Sequence, residues 1–392
     1  MRTSPTHEDL DTIRTEVRRL CDTYGNEYWR SLEPDRYPTE FVTDLTKHGW
    51  LSALIPEEYG GGGLSLGGAS VILEEISASG GNPSACHAQM YVMGTVLRHG
   101  SEEQKQRYLP RIADGEVRLQ AFGVTEPTAG SETTAISTRA ERDGDTWRIN
   151  GQKIWTSRAL YSDLILMIAR TTPIDQCESR LDGISVFLFP LRGDDGELVP
   201  GLTINPIPTM MNHSTTEVFF DDVVVAADSL VGTEGMGFRH ILDGMNAERI
   251  LIASECIGDG RFFLERAAEY AKQREVFGRP IGQNQGVAFP LARAYADLEA
   301  ADLMRWRAAE LFDRGERLRR FAHADLEHLD LATIDEGLDV AELFGDSRLR
   351  DHGEALGPIG HERTDLIDGA GADHDVVGPV GQGNAHSLHV VV

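Results

Sequence analysis

Cysteine, lysine and long apolar runs are all scarce in this chain of 392 residues. The four cysteines (Cys21, Cys86, Cys177, Cys256) are scattered and form no Cys-x-x-Cys pair. We therefore predict neither a disulfide framework nor a structural zinc site. A membrane-spanning helix needs about 18 consecutive apolar residues, and the chain has no such run. Its first residues also lack the apolar segment of a secretion signal, so we expect a cytoplasmic protein without a membrane span.

Positive charge is the second shortage. The formal net charge is −26, and only four lysines occur. Such a balance argues against nucleic-acid binding, because a phosphate backbone attracts basic surfaces. The hydrophobic content of 41% and the charged content of 26% are ordinary for a globular protein. The length is enough for two or three domains.

Residues 1–118 are expected to form a helical domain. Apolar residues recur at intervals of three and four from Leu10 to Tyr24, which predicts one helix over residues 8–31. Pro38 suits the first turn of a second helix that ends at Gly49. Two more helices are predicted over 68–79 and 84–98. Another begins at a capping box of Ser101 and Gln104.

The hydrophobic period changes near residue 119, and residues 119–232 are expected to form a central antiparallel β domain. Asp143-Gly144 and Asn150-Gly151 lie between short strand-like runs, and both dipeptides are typical of tight hairpin turns. Four further short apolar runs follow, within LILMIAR, GISVFLFPL, LTINPI and EVFFDDVVV.

Helical patterning returns in residues 233–315, which we expect to form a C-terminal helical bundle. The first helix is predicted to bury one apolar stripe, formed by Phe238, Ile241, Leu242, Met245, Ile252 and Cys256. A separate helix is expected over about 259–273, and a long one over 285–313. The order of helices, sheet and helices predicts an α+β fold and disfavours an alternating Rossmann arrangement.

Residues 316–392 form an atypical tail. Its composition shifts abruptly, and residues 321–392 contain no Lys, Met, Trp, Tyr or Cys. The tail is expected either to be disordered or to result from a reading-frame shift in the gene or its record. Its histidines lack the i, i+4 spacing of helical metal ligands, so no metal site is predicted.

The stretch FGVTEPTAGS, residues 122–131, joins a strand-like start to a polar turn. A strand end of this kind offers hydroxyls and backbone N–H groups to a ligand. Trp155 follows in QKIWTS, where an indole face could cover a flat ring while Thr156 and Ser157 reach its heteroatoms. Thr125 and Ser131 could act in the same way. A lone Trp is otherwise expected to be a core side chain.

Glu248 shares a helix face with Ile241 and Met245. A carboxylate on a buried face is costly unless it is paired or used. It could form a salt bridge with an arginine of another helix, or lie on a helix rotated enough for it to reach water. It could also serve as a general base tuned by an apolar pocket. Asn246 and Arg249 flank it and could face either a polar ligand or solvent.

Arg274 follows the last of these shorter helices. It could bind a phosphate, or act only as a positive charge at a helix C-terminus.

Five motifs together resemble the acyl-CoA dehydrogenase family: FGVTEPTAGS, INGQKIWTS, LVGTEGMGF, NAERILIA and QREVFGRPIGQNQ. They occur in order between residues 8 and 313 at family-like spacing. The resemblance implies a helical N-terminal domain, a central β domain and a C-terminal four-helix bundle. It also implies FAD as cofactor, an acyl-CoA thioester as substrate, electron-transferring flavoprotein as acceptor, and a homodimer or homotetramer.

The resemblance assigns site residues by motif. Phe122, Val124, Thr125 and Ser131 would line the flavin or its ribityl-phosphate arm, and Ser131 would also touch substrate. Trp155, Thr156 and Ser157 would pack on the isoalloxazine ring. Arg274, Phe277, Asn284 and Gln285 would meet FAD across a subunit contact, and Asn246 and Arg249 would bind the substrate. Family members place the base either on the helix of Glu248 or in a C-terminal Tyr-Glu-Gly-Thr-like motif. This chain lacks the latter, so Glu248 is predicted to be the base.

The tail departs from the family. It lacks the Gln-x-x-Gly-Gly-x-Gly element that supplies pyrophosphate contacts to the neighbouring subunit's FAD. Two other functions therefore stay open at this point. One is a flavin oxidase or monooxygenase on the same scaffold, and the other is an inactive acyl-CoA-binding member with an incomplete FAD site.

Overall fold

The computed structural model of the protein describes residues 6–316. Within that range, six helices are followed by a sheet and then by two long helices, so the predicted α+β order is confirmed. The expectations for the tail fall on residues 317–392, which lie outside the described part of the chain.

The N-terminal region is helical. Its helices are α1 (His7–Cys21), α2 (Asn26–Leu32), α3 (Thr39–Lys47), α4 (Leu66–Ala78), α5 (Ser84–His99) and α6 (Glu102–Ala113). The predicted capping box is confirmed: Gln104 N–H donates to Ser101 Oγ, and Ser101 N–H donates to Gln104 Oε1. The prediction of one helix over 8–31 is wrong. Gly25 adopts extended backbone and becomes the N-cap of α2, which breaks the helix after α1.

The sheet contains β1 (Leu119–Gly123), β2 (Arg139–Asp143), β3 (Thr146–Ser157), β4 (Leu164–Arg170), β5 (Ile184–Pro190), β6 (Leu202–Pro206), β7 (Thr215–Ala226) and β8 (Leu230–Val231). The strands lie in the order β6-β7-β3-β2-β4-β5-β8, and β1 pairs with β4. The sheet is mixed rather than wholly antiparallel, because β1 and β2 both run parallel to β4. β2 and β3 fill the connection between β1 and β4, which lets the chain return in the same direction.

One of the two predicted hairpin turns is confirmed. Asp143 pairs with Thr146 across the turn at Gly144, whose φ is +60°. The turn predicted at Asn150-Gly151 is wrong, because β3 continues through it with a shift in its register against β7. Gly151 has a φ of +149°, and a Cβ there would lie 2.4 Å from Thr138 Oγ1. The glycine therefore permits a β-bulge and a close approach, not a turn.

The C-terminal region starts with one continuous helix. α7 (Gly237–Gln273) spans both of the helices that the sequence suggested, and α8 (Gln285–Asp313) follows a small hairpin of β9 (Glu275–Val276) and β10 (Arg279–Pro280). The predicted apolar stripe is wrong in its second half, since Ile252 and Cys256 are exposed. α7 instead packs through small residues: a Cβ on Gly258 would lie 2.2 Å from Glu74 O of α4.

A buried ion-pair network fixes α7 against its neighbours. The Glu74 carboxylate on α4 is fully buried and accepts from Arg14 at 2.8 Å, Arg261 at 2.7 Å and Arg305 at 2.9 Å. These arginines belong to α1, α7 and α8, and Arg305 also pairs with Asp302. One carboxylate with three partners leaves little freedom in how the four helices meet.

Candidate active site

The two sequence motifs with polar ends lie side by side where the chain leaves β1 and runs next to β3. Ile154 N–H of β3 donates to Thr125 O at 2.9 Å. Lys153 Nζ donates to Val124 O at 3.1 Å. Residues 126–129 close a tight turn, in which the backbones of Glu126 and Ala129 exchange two hydrogen bonds of 3.1 Å. We call the surface formed by residues 122–131 and 155–157 the ligand wall.

A buried ion pair that the sequence reasoning missed holds the ligand wall together. Lys153 Nζ lies 2.7 Å from Glu126 Oε1, and Glu126 also accepts from the backbone N–H groups of Ser137 at 2.6 Å and Thr138 at 3.0 Å. Burial raises the pKa of Glu126, but Lys153 and these hydrogen bonds outweigh it and hold that pKa at about 2. Burial lowers the pKa of Lys153 to about 8 despite its partner. Lys153 lies at a position of β3 where the alternation predicts a buried apolar residue. That exception was the available sequence signal for a buried ion pair.

Trp155 is not a core side chain, so that alternative is wrong. It is 57% exposed and has a φ of +61°. Left-handed backbone in a bulky residue costs about 1–3 kcal/mol and is concentrated at functional sites. The register of β3 against β7 also shifts between Lys153 and Thr156. The strand is therefore distorted at the point where it presents the indole to solvent.

The hydroxyl groups of the ligand wall differ in exposure. The Thr156 Oγ1 atom is buried and has no hydrogen-bond partner in the described part of the chain. Ser157 is half-buried next to it, and Ser131 is exposed on the facing turn. An orphaned hydroxyl beside an exposed indole fits a flat ring with polar edge atoms. The residues present therefore fit a planar heteroaromatic cofactor.

Phe122 and Val124 support the wall from behind. Both pack against the core between the helices and the sheet. The Phe122 ring makes an edge contact with Tyr91 of α5, with 5.8 Å between ring centroids. Tyr91 is thus a link between the wall and the helices that cover it.

Glu248 lies on α7, which packs against α5, the helix that carries Tyr91. Burial raises its pKa, while the charges of His87 and Arg249 lower it less strongly. Burial raises the pKa of Tyr91, and the negative charge of Glu248 raises it further. Among residues 6–316, Glu248 has no ion pair and no hydrogen bond, so the salt-bridge alternative is wrong. An unpaired, half-buried carboxylate with a raised pKa is what a general base requires.

The side chains that flank Glu248 differ in exposure. Arg249 is exposed and donates to Asn246 Oδ1 at 2.9 Å. Asn246 is half-buried. Their contact places an amide and a guanidinium together on α7, beside the carboxylate of Glu248.

The remaining predicted site residues lie apart from the ligand wall. Arg274 is the exposed C-cap of α7, and Phe277 is fully exposed at the β9–β10 turn with a φ of +54°. Asn284 caps α8, whose first residue is Gln285. Within the described residues, none of these four side chains bonds to residues 122–131 or 155–157.

None of the helices within residues 6–316 combines the length and the hydrophobicity that a membrane span requires. No group of three or more His, Cys, Asp or Glu side chains there could hold a metal ion.

The chain matches three family models in succession. They are the N-terminal domain of acyl-CoA dehydrogenase over residues 7–116, the middle domain over 121–223 and the C-terminal domain over 235–324. The Mycobacterium bovis protein "Acyl-CoA dehydrogenase fadE12" is 36% identical over 313 residues, which cover 79% of this chain and 78% of the relative.

Solved structures show the same similarity. The glutaryl-coenzyme A dehydrogenase glutaryl-CoA complex has a TM-score of 0.71 and 31% identity, and covers 80% of this chain and 78% of that chain. A chain in "Electron transferring flavoprotein of Acidaminococcus fermentans: Towards a mechanism of flavin-based electron bifurcation" has a TM-score of 0.72 and 29% identity, and covers 81% of this chain and 82% of that chain.

Proposed function

Since the chain belongs to the acyl-CoA dehydrogenase family of oxidoreductases, we propose that it converts an acyl-CoA thioester to the 2-enoyl-CoA, with Glu248 as the base. One observation carries this proposal. Glu248 is an unpaired carboxylate with a raised pKa, and Tyr91 connects its surroundings to the ligand wall through Phe122.

Glu248 removes the α-proton of the bound thioester. Its burial favours the neutral acid, which brings its proton affinity closer to what the reaction needs near neutral pH. His87 of α5 acts electrostatically on Glu248, and the packing of α7 against α4 and α5 fixes the helix that carries the carboxylate. Positioning of this kind supplies much of the rate of such reactions.

FAD is the proposed cofactor, and when bound it accepts the β-hydride of the acyl group. Trp155 would cover the flat ring, and the orphaned Thr156 hydroxyl together with Ser157 would donate to it or accept from it. Thr125 and Ser131 would contact the ribityl-phosphate arm, and Ser131 would also touch the substrate. Phe122 and Val124 would complete the ring's apolar side. Asn246 and Arg249 would bind the acyl-CoA from α7.

A second copy of the chain would complete the site. Arg274, Phe277, Asn284 and Gln285 lie on a hairpin and a helix start that make no bond to the wall of their own chain. We propose that they meet the FAD of a partner in a homodimer or homotetramer. Large exposed apolar side chains on α7, the β9–β10 turn and α8 support such a contact: Phe263, Tyr270, Phe277, Phe289 and Leu303.

Electron-transferring flavoprotein is the proposed acceptor. One similar structure is named for such a flavoprotein, which supports this choice of partner. If a protein is the acceptor, the reduced flavin should be reoxidised slowly in air. If molecular oxygen is the acceptor, reoxidation in air should be fast, so its rate identifies the acceptor.

The experiment is an anaerobic titration of the purified protein with a panel of acyl-CoAs, followed by admission of air. We expect bleaching of the flavin absorbance by at least one acyl-CoA and slow reoxidation in air. Fast reoxidation would favour an oxidase or monooxygenase. A protein that binds no flavin, even when FAD is added, would favour an inactive acyl-CoA-binding member and contradict the proposal.

A further inference from the structure

Arg158 is a buried arginine that the proposed reaction does not use. It directly follows Ser157, the last residue of the ligand wall, and is 6% exposed. Its backbone is left-handed, with a φ of +60°, and its N–H donates to Ser214 O at 2.8 Å. The strained backbone and this hydrogen bond fix the position of the Arg158 Cα atom, from which the side chain extends.

The guanidinium of Arg158 lacks a partner. Its Nη2 atom is buried without a hydrogen bond. No carboxylate of residues 6–316 lies within ion-pair distance of it, and Glu255 lies 2.8 Å from His87 instead. Burial lowers the pKa of Arg158, against the opposing effects of Tyr91, Tyr37 and Glu255. An arginine stays charged in proteins, so an unpaired buried one is costly unless an anion meets it.

A cavity adjoins this guanidinium. Its volume is about 190 Å³, and Arg158 lines it together with Trp29, Tyr37, Asn82, Ser84 and Asn212. Asn82 Oδ1 accepts from Ser84 N–H at 3.0 Å, so the Asn82 amide N–H groups have no partner in the described part of the chain. The lining therefore offers a cation, amide donors and a hydroxyl, beside the aromatic side chains of Trp29 and Tyr37.

The cavity adjoins the ligand wall, because Arg158 lines it and directly follows Ser157 in the chain. Tyr91, whose ring contacts Phe122 of the wall, is subject to the charges of both Glu248 and Arg158. A substrate that lies along the wall with its α-carbon at Glu248 would extend the far end of its acyl group towards Arg158.

We propose that Arg158 binds a carboxylate at the far end of the acyl group, so that the preferred substrates are ω-carboxyacyl-CoA thioesters. This inference rests on the proposed function. A water molecule takes up about 30 Å³ of liquid volume, so the cavity has room for a carboxylate and a few methylenes but not for the CoA moiety. Planar carboxylates suit the fork of donors on a guanidinium. Exposed Glu33 also lines the cavity and is not paired with Arg158. Its negative charge disfavours a ligand group that carries two negative charges.

Binding is tested in the flavin-loaded Glu248→Gln protein, which removes turnover. Calorimetry compares mono-CoA thioesters of straight-chain dicarboxylic acids of four to eight carbons with neutral acyl-CoAs of equal carbon number. We expect the ω-carboxyacyl-CoA to bind roughly 10- to 100-fold more tightly at one chain length, because a hydrogen-bonded buried charge contributes on this scale. Adding Arg158→Met should remove the preference, and Arg158→Lys should keep part of it.

Arg148→Met is the matched control, because Arg148 lies on β3, the strand that precedes Arg158, with its side chain 38% exposed and paired with Asp143. It should keep the full preference. Equal binding of both classes by the parent protein would overturn the proposal even if no Arg158 variant folds, and so would an unchanged preference in folded Arg158→Met. If the protein with Glu248 intact is reduced by neutral acyl-CoAs but shows no preference, only this inference fails. If no acyl-CoA binds at all, the proposed function fails with it.

Discussion

Lys153 Nζ lies 2.7 Å from Glu126 Oε1, and the two side chains are 0% and 1% exposed. Through this pair, the strand that carries Trp155 is joined to the turn that carries Ser131. The ligand wall is therefore fixed by a buried electrostatic contact as well as by the hydrogen bonds of its backbone.

Lys153→Met should destabilise the protein strongly. The substitution leaves the carboxylate of Glu126 buried without its counter-charge, and losing one partner of a buried pair costs about 3–5 kcal/mol. Denaturant unfolding of the flavin-free protein measures the effect. Arg111→Met is the control, since the Arg111–Glu116 pair is exposed and should contribute less than about 1 kcal/mol. Equal losses in both variants would contradict the structural role of the buried pair.

Glu126 should make the protein labile in acid. Its folded-state pKa of about 2 lies below the ordinary value of 4.5, so the unfolded state binds the proton first as the pH falls. The contribution to the free energy of unfolding is complete above pH 4.5 and is lost as the pH falls towards about 2. The loss should be about 3 kcal/mol. In Glu126→Gln, the same pH range should show a clearly flatter dependence, and an unchanged slope would contradict the assignment.

Trp155→Gly should separate ligand binding from folding. Glycine relieves the left-handed backbone at φ +61°, so the flavin-free protein should unfold with an unchanged or slightly higher free energy. FAD affinity should fall at least about tenfold, because the stacking face is lost. Trp147→Ala is the contrast: Trp147 is 1% exposed, and its loss should cost about 3–5 kcal/mol of stability. Fluorescence-monitored unfolding and FAD titration distinguish the two.

Local rules predicted the features that depend on neighbouring residues alone. The Ser101–Gln104 capping box and the turn at Gly144 require only a few residues in sequence, and both are confirmed. The turn at Asn150-Gly151 is wrong because pairing with β7, a distant strand, extends β3 through it. A dipeptide preference of this kind is weak against a complete row of strand hydrogen bonds.

The candidate site was predictable in its motifs but not in its supports. The sequence predicts that residues 122–131 and 155–157 share a site, and hydrogen bonds of Lys153 and Ile154 bring the two stretches side by side. The Glu126–Lys153 pair and the link through Tyr91 join residues far apart in sequence, so the alternation of β3 can mark Lys153 as buried but cannot identify its partner. The buried face of α7 was also mispredicted, because close approach of α4 selects small residues such as Gly258 rather than a large apolar stripe.

The pH dependence of flavin reduction should report Glu248. A base works only when deprotonated, and burial raises the pKa of Glu248. The reduction rate should therefore fall, as the pH is lowered, at a higher pH than for an ordinary carboxyl group. The positive charge of His87 lowers the pKa of Glu248, so His87→Gln should move this acid limb to still higher pH. Stopped-flow reduction across pH checks both shifts, and a limb that moves down in His87→Gln would contradict the electrostatic assignment.

The most direct test of Glu248 as the base is the rate of flavin reduction in Glu248→Gln under anaerobic conditions with a saturating acyl-CoA. The rate should fall by roughly 10²- to 10⁴-fold, the usual contribution of a general base, while the flavin spectrum before mixing is unchanged. Glu265→Gln, an exposed substitution on the same helix, should reduce at the parent rate. A Glu248→Gln protein that keeps its flavin and is reduced as fast as the parent would contradict the account.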